Sequence, residues 1–105
     1  MFAVIFKAQL AQMNEAMTAE YTETAAKLRK LALADYDCLE FTSICEGDQE
    51  IAISYWPSEA HIKRWKNNEN HLGAQYAGKD GWYLNYTVEV VEIKRSYMKN
   101  TISYV

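Results

Sequence analysis

The sequence predicts one domain of the α+β class, and three observations carry the prediction. Four segments rich in β-branched and aromatic residues are separated, in two places, by stretches whose apolar residues recur at steps of three and four. The resulting order is strand, helix, strand, strand, helix, strand. A chain of 105 residues is long enough to bury one core and too short for two.

Residues 2–9 combine β-branched and aromatic side chains and end at polar Gln9, which gives a first strand apolar on both faces. From Asn14 onward, Met17, Tyr21, Ala25, Leu28 and Ala32 follow helical spacing while Glu15, Glu20, Glu23, Lys27 and Arg29 fall elsewhere. This is an amphipathic helix of about five turns. Asp35, Tyr36 and Asp37 interrupt it, and residues 38–45 then alternate, with Leu39, Phe41 and Ser43 on one side and Glu40, Thr42 and Ile44 on the other. Glu46-Gly47-Asp48 is a turn signal, and residues 50–56 behind it are again strand-like, so the two segments form an antiparallel hairpin.

Ser58 as N-cap and Glu59 in the first turn open a second helix that runs to about Asn68. Asn67, Asn68 and Asn70 interrupt it, and a further helical piece over residues 69–77 carries Leu72 and Tyr76 four apart. Gly78 and Gly81 end that piece. Residues 83–97 form a long fourth strand, with Val90-Val91 the expected place for a bulge. The domain is expected to close at residue 97, leaving residues 98–105 as a C-terminal strand-like arm or tail.

The order β-α-β-β-α-β is the ferredoxin-like pattern, a four-stranded antiparallel sheet with both helices on one face. A single helical layer cannot cover strands that are apolar on both sides. The open face is therefore expected to be buried against a second copy, making a homodimer.

The net charge of -3 and a pI near 5.3 argue against nucleic acid or an anionic membrane as partner, since both select a basic surface. Phe2 to Phe6 is too short and too soon interrupted by Lys7 to act as a signal segment, and no stretch approaches the roughly 20 residues of a membrane span. The cytoplasm is the expected compartment. Cys38 and Cys45 on one strand would stand roughly 23 Å apart, beyond disulfide reach, and are expected to be free thiols. Together with His61 and His71 they lack the close paired spacing of metal ligands, so no metal is expected.

Eight tyrosines and three tryptophans need a place. Trp65 lies on the inward side of the second helix, where it either packs as core or walls a pocket. The interruption at residues 67–70 and the aromatics Tyr76, Trp82, Tyr83 and Tyr86 beyond it suit an apolar small-molecule pocket. The expected ligand contacts are Trp65, Phe6, Trp82 and Tyr83. The candidates for acid, base or donor are His71, with an ordinary pKa of about 6.5, and Tyr76. Against this, a lone His near a helix start is more often structural or at the surface. No nucleophile elbow and no Gly-rich phosphate loop is present.

The stretch Ser54-Tyr55-Trp56-Pro57-Ser58-Glu59-Ala60, then Trp65, then Asn70-His71-Leu72-Gly73-Ala74-Gln75 resembles the antibiotic biosynthesis monooxygenase superfamily. The similarity extends over the opening strand and the closing aromatic strand. It implies a ferredoxin-like dimer whose sheets meet as an α/β barrel. It also implies oxygenation without metal or flavin, in which a small aromatic quinol or anthrone is deprotonated and its anion reacts with molecular oxygen. On that resemblance Trp65 lines the pocket and His71 or Tyr76 orients or deprotonates the substrate hydroxyl. A non-catalytic dimeric domain that binds a small aromatic ligand is the alternative. A haem-degrading branch of the superfamily places an axial His ten residues after the Trp, where this chain has Gln75, so haem lacks its iron anchor here.

Overall fold

A computed structural model describes residues 1–68 and 81–100. Six elements follow in chain order: β1 (Phe2–Leu10), α1 (Glu15–Asp35), β2 (Glu40–Glu46), β3 (Gln49–Trp56), α2 (Glu59–Lys66) and β4 (Tyr83–Glu92). All pairings are antiparallel and the strand order is β2-β3-β1-β4. This is the ferredoxin-like arrangement expected from the sequence.

Local chemistry sets the element ends. Asn14 caps α1, its side-chain oxygen accepting from the Met17 amide at 2.8 Å, and Ser58 caps α2 by accepting from the His61 amide at 3.3 Å. At its C-terminus α1 runs on to Asp35 and stops because Asp37 takes a left-handed φ of 60°, which lets the Cys38 amide reach back to the Ala32 carbonyl at 3.1 Å. That closure uses up Cys38, so β2 starts at Glu40 and not at residue 38. In the β2–β3 hairpin Glu46 pairs with Gln49 across a two-residue loop whose first position, Gly47, has φ 61°.

Two expectations for the last strand need correction. It ends at Glu92 rather than residue 97, because Glu92 pairs with Phe2 at the very start of β1 and, among the described residues, one further backbone bond, from the Ile93 amide to the Met1 carbonyl, extends the pairing. The register irregularity lies not at Val90-Val91 but near the strand's start. There Gln9 pairs with Asn85 and Leu10 with Tyr83, which leaves Leu84 as the extra residue. The helical piece expected over residues 69–77, with His71, Leu72, Gln75 and Tyr76, lies outside the described residues, as do residues 101–105.

The core lies between helices and sheet. Trp56 and Ala32 are fully buried and, with Cys38, Ile62 and Trp65, form a cluster against which Phe2, Val4, Leu28, Leu31, Tyr36 and Phe41 pack. On β3 the buried positions alternate as Glu50, Ala52, Ser54 and Trp56, which fixes these four on the helical side. Ile51, Ile53 and Tyr55 therefore face away from the helices, and the register adds Ile44 from β2, Ile5 from β1 and Val91 from β4 to the same open face. Ile44 is 66% and Ile51 42% exposed.

Candidate functional site

Counting back from Trp56 by twos reaches Glu50, whose neighbour on β1 is Ala8. Short residues at Ala8 and Ala52 leave space above this end of the sheet, and α1 sends Tyr21 into it. Tyr21 donates its hydroxyl proton to Glu50 Oε2, and Ser43 on β2 donates to Glu50 Oε1 at 3.2 Å. Glu50 is only 6% exposed. Among the described residues no lysine, arginine or histidine forms an ion pair with it. A carboxylate removed from water without a cation depends on hydroxyl donors for its stabilisation, and two of them are in place here.

An aromatic cluster gathers around Tyr21, the donor to this carboxylate. Tyr83 lies 6.1 Å from Tyr21, 5.3 Å from Phe6 and 5.9 Å from Tyr86, centroid to centroid, and Phe6 stacks on Tyr86 at 5.7 Å. Trp82 meets Tyr21 edge-on at 5.3 Å. Its backbone carbonyl accepts from the Ala11 amide at 2.9 Å, which anchors the entry to β4 beside the exit of β1. The cluster opens along β4, where Tyr86 is 38% and Val88 50% exposed on the helical side of the sheet.

Burial raises the pKa of Tyr21 far above its ordinary value, and its hydrogen bond to Glu50 adds to the rise. Tyr83 is raised in the same way, first by burial and then by the Glu50 charge. Both hydroxyls are therefore neutral across the physiological range. They can pass or donate protons, but they do not ionise.

The structure divides the residues expected at the site. Phe6, Trp82 and Tyr83 come together around Glu50. Trp65 does not join them: it packs 6.1 Å from Trp56 and 5.3 Å from Tyr36, at the Phe2 end of the sheet, roughly 13 Å along the strand from Phe6. His71 and Tyr76 lie outside the described residues. His61, the other histidine, sits at the rim of α2, its Nδ1 2.6 Å from Ser58 Oγ and its Nε2 3.5 Å from Asp37. Among the described residues no group of three or more His, Cys, Asp or Glu is placed to hold a metal ion.

Sequence reading passed over Glu50, Tyr21 and Ser43. A signal for the first was present, since strict alternation inward from Trp56 makes Glu50 the charged residue on a buried face. Its meaning depends on the α1 tyrosine above it, which strand periodicity does not reveal.

The chain is thus an α+β domain with an antiparallel ferredoxin-like sheet and a buried, hydroxyl-bound carboxylate beside aromatic rings, and comparisons with known proteins narrow it further. No family model matches the chain. The uncharacterized protein YqjZ of Bacillus subtilis is 31% identical over 103 residues, covering 95% of this chain and 87% of that protein. The jasmonate monooxygenase ABM of Pyricularia oryzae is 28% identical over 111 residues, and the chain spans about half of that protein's length, 49%. The crystal structure of SnoaB, a cofactor-independent oxygenase from Streptomyces nogalater, superimposes with a TM-score of 0.75 over 93% of this chain and 97% of that one, at 11% identity. At that identity the likeness is one of fold. The chain belongs to one family with YqjZ, and its fold is that of the antibiotic biosynthesis monooxygenases.

Proposed function

We propose that the protein is a cofactor-independent monooxygenase that binds a small aromatic, quinol-type molecule and oxidises it with molecular oxygen. The observation that carries this reading is the aromatic cluster of Phe6, Tyr21, Tyr83 and Tyr86 closing on the buried Glu50. Flat aromatic walls favour a flat aromatic ligand through edge and stacking contacts, and the hydroxyls beneath them supply the sparse polar contacts that orient it. The names of the fungal relative and of SnoaB, a monooxygenase and an oxygenase, support the same class.

In this reading Phe6, Trp82 and Tyr83 contact the ligand and Trp65 supports the pocket from the core. His71 and Tyr76 act on the substrate hydroxyl by orienting or deprotonating it. Deprotonation makes the ring electron-rich enough to give an electron to oxygen, and the apolar walls keep water from the anion. The working form is a homodimer joined through the open face that carries Ile5, Ile44, Ile51 and Ile53. Two free cysteines, Cys38 buried and Cys45 exposed, suit the reducing cytoplasm. No helix among the described residues is long and apolar enough to cross a membrane.

The test is oxygen consumption with a panel of quinols and anthrones. Turnover of at least one, weakened by Tyr83→Ala, is the expected result. Quenching of tryptophan fluorescence by those compounds with no oxygen uptake would replace the enzyme by a non-catalytic binding domain.

A further inference from the structure

We propose that Glu50 is the proton acceptor of this site and that it draws the proton of a bound aromatic hydroxyl through the hydroxyl of Tyr21. The proposal takes its acid, a phenol-like hydroxyl, from the function proposed above. It assigns deprotonation to Glu50.

The geometry has three parts. Tyr21 already donates to Glu50 Oε2, so its oxygen keeps the capacity to accept one more hydrogen bond, and a ligand hydroxyl among Phe6, Tyr83 and Tyr86 is the donor of the right kind. Ser43 holds the other carboxylate oxygen at 3.2 Å, which fixes the plane of the group against β2. Beyond these, the titratable side chains facing Glu50 among the described residues are Tyr83 from β4 and Cys45, its cross-strand neighbour on β2. Neither is a cation.

The transfer conserves charge. The ligand O–H bond breaks as its proton bonds to Tyr21 Oη, and the proton of Tyr21 passes in the same motion to Glu50 Oε2. The ligand becomes an anion, Glu50 becomes a neutral acid and Tyr21 is neutral before and after. No electron moves in this step. Among the described residues no cation faces Glu50, so these groups hold one negative charge throughout and the step shifts a buried charge without creating one. The new anion then accepts a hydrogen bond from the same Tyr21 hydroxyl.

The experiment uses alizarin, a hydroxyanthraquinone that changes from yellow to red on losing a phenolic proton, bound to the full chain across a pH series. In the infrared difference spectrum between dye-bound and free protein, wild type is expected to gain a protonated-carboxyl band as the dye turns red, the proton being kept by the protein and not released to the solvent. Glu50→Gln should gain no such band and release a proton for each dye that turns red, Tyr21→Phe should gain no band, and Glu50→Asp should restore it. Near-UV circular dichroism identifies any variant that fails to fold, in which case the remaining two decide. A red dye in wild type with no carboxyl band, an unchanged band in Glu50→Gln or Tyr21→Phe, or no binding by wild type would each overturn the proposal. Oxygen uptake separates the two readings. A carboxyl band without uptake of oxygen with any quinol removes the oxygenase and leaves the proton acceptor, whereas Glu50→Gln turning over a quinol with the wild-type rate and pH profile removes the acceptor alone.

Discussion

Tyr83 and Tyr86 stand three residues apart on β4 and still share one face of the sheet, their ring centroids 5.9 Å apart. An unbroken strand would send them to opposite faces. The extra residue Leu84 changes the parity, because Leu10 pairs with Tyr83 while Gln9 pairs with Asn85. One inserted residue thereby assembles the aromatic wall.

Inserting one residue between Gln9 and Leu10 would give Leu84 a partner, restore regular pairing and turn Tyr83 toward the open face. Three ring contacts, to Phe6, Tyr21 and Tyr86, would be lost, each worth about 0.5–1.5 kcal/mol beyond area burial. The expected outcome is a variant about 2–4 kcal/mol less stable in urea unfolding, with a diminished near-UV circular dichroism signal. A near-UV spectrum identical to wild type would show that the bulge does not set the orientation.

The other end of the sheet depends on Trp56, fully buried, its Nε1 donating to Ser54 Oγ at 2.8 Å and its ring against Trp65. Trp56→Ala should cost about 3–5 kcal/mol in chemical denaturation, the range for emptying a large aromatic site. Trp56→Phe, which keeps most of the volume but leaves Ser54 without its donor, should cost less. Equal losses from the two would assign the stability to the hydrogen bond and not to packing.

Alkaline stability follows from the two tyrosines. Tyr21 and Tyr83 have pKa values raised in the folded state, so the folded chain holds protons that the unfolded chain releases from about pH 10 upward. Their contribution is fully present below that pH and is lost above it, at up to about 1.4 kcal/mol per pH unit for each group. Phenolate absorbance should accordingly show two tyrosines appearing only with loss of the far-UV signal. The double variant Tyr21→Phe, Tyr83→Phe should flatten the stability curve above pH 10.

Ile44 and Ile51 are direct cross-strand neighbours on the open face, both exposed in the single chain. If that face joins two copies, a lysine there would be buried without a partner. Ile51→Lys is expected to yield a folded monomer by light scattering where wild type gives a dimer. A dimeric Ile51→Lys protein would move the interface elsewhere.

The candidate site was half legible. Phe6, Trp82 and Tyr83 were recognisable as aromatics in strand-like surroundings. Trp65, picked out by the same reasoning, belongs to the Trp56 core, since helical spacing tells which way an indole faces but not which end of the sheet lies opposite. Glu50 was passed over because a single charged residue beside a turn looks like a solvated one until its burial is known.

What the sequence determined by itself is the order of elements, the helix cap at Ser58, the Gly47 turn and the surplus of apolar residues on β1 and β3. These rest on interactions within a few residues of one another, such as a cap side chain reaching the amide three positions on, or a glycine adopting a positive φ. Only the tertiary structure decided that β4 ends at Glu92, that Leu84 bulges, and that Tyr21, Ser43 and Tyr83 converge on Glu50. Each of those depends on where a distant strand or helix begins and ends. The Tyr21–Glu50 contact joins positions 29 residues apart, and no local periodicity encodes a meeting that only strand register and helix placement bring about.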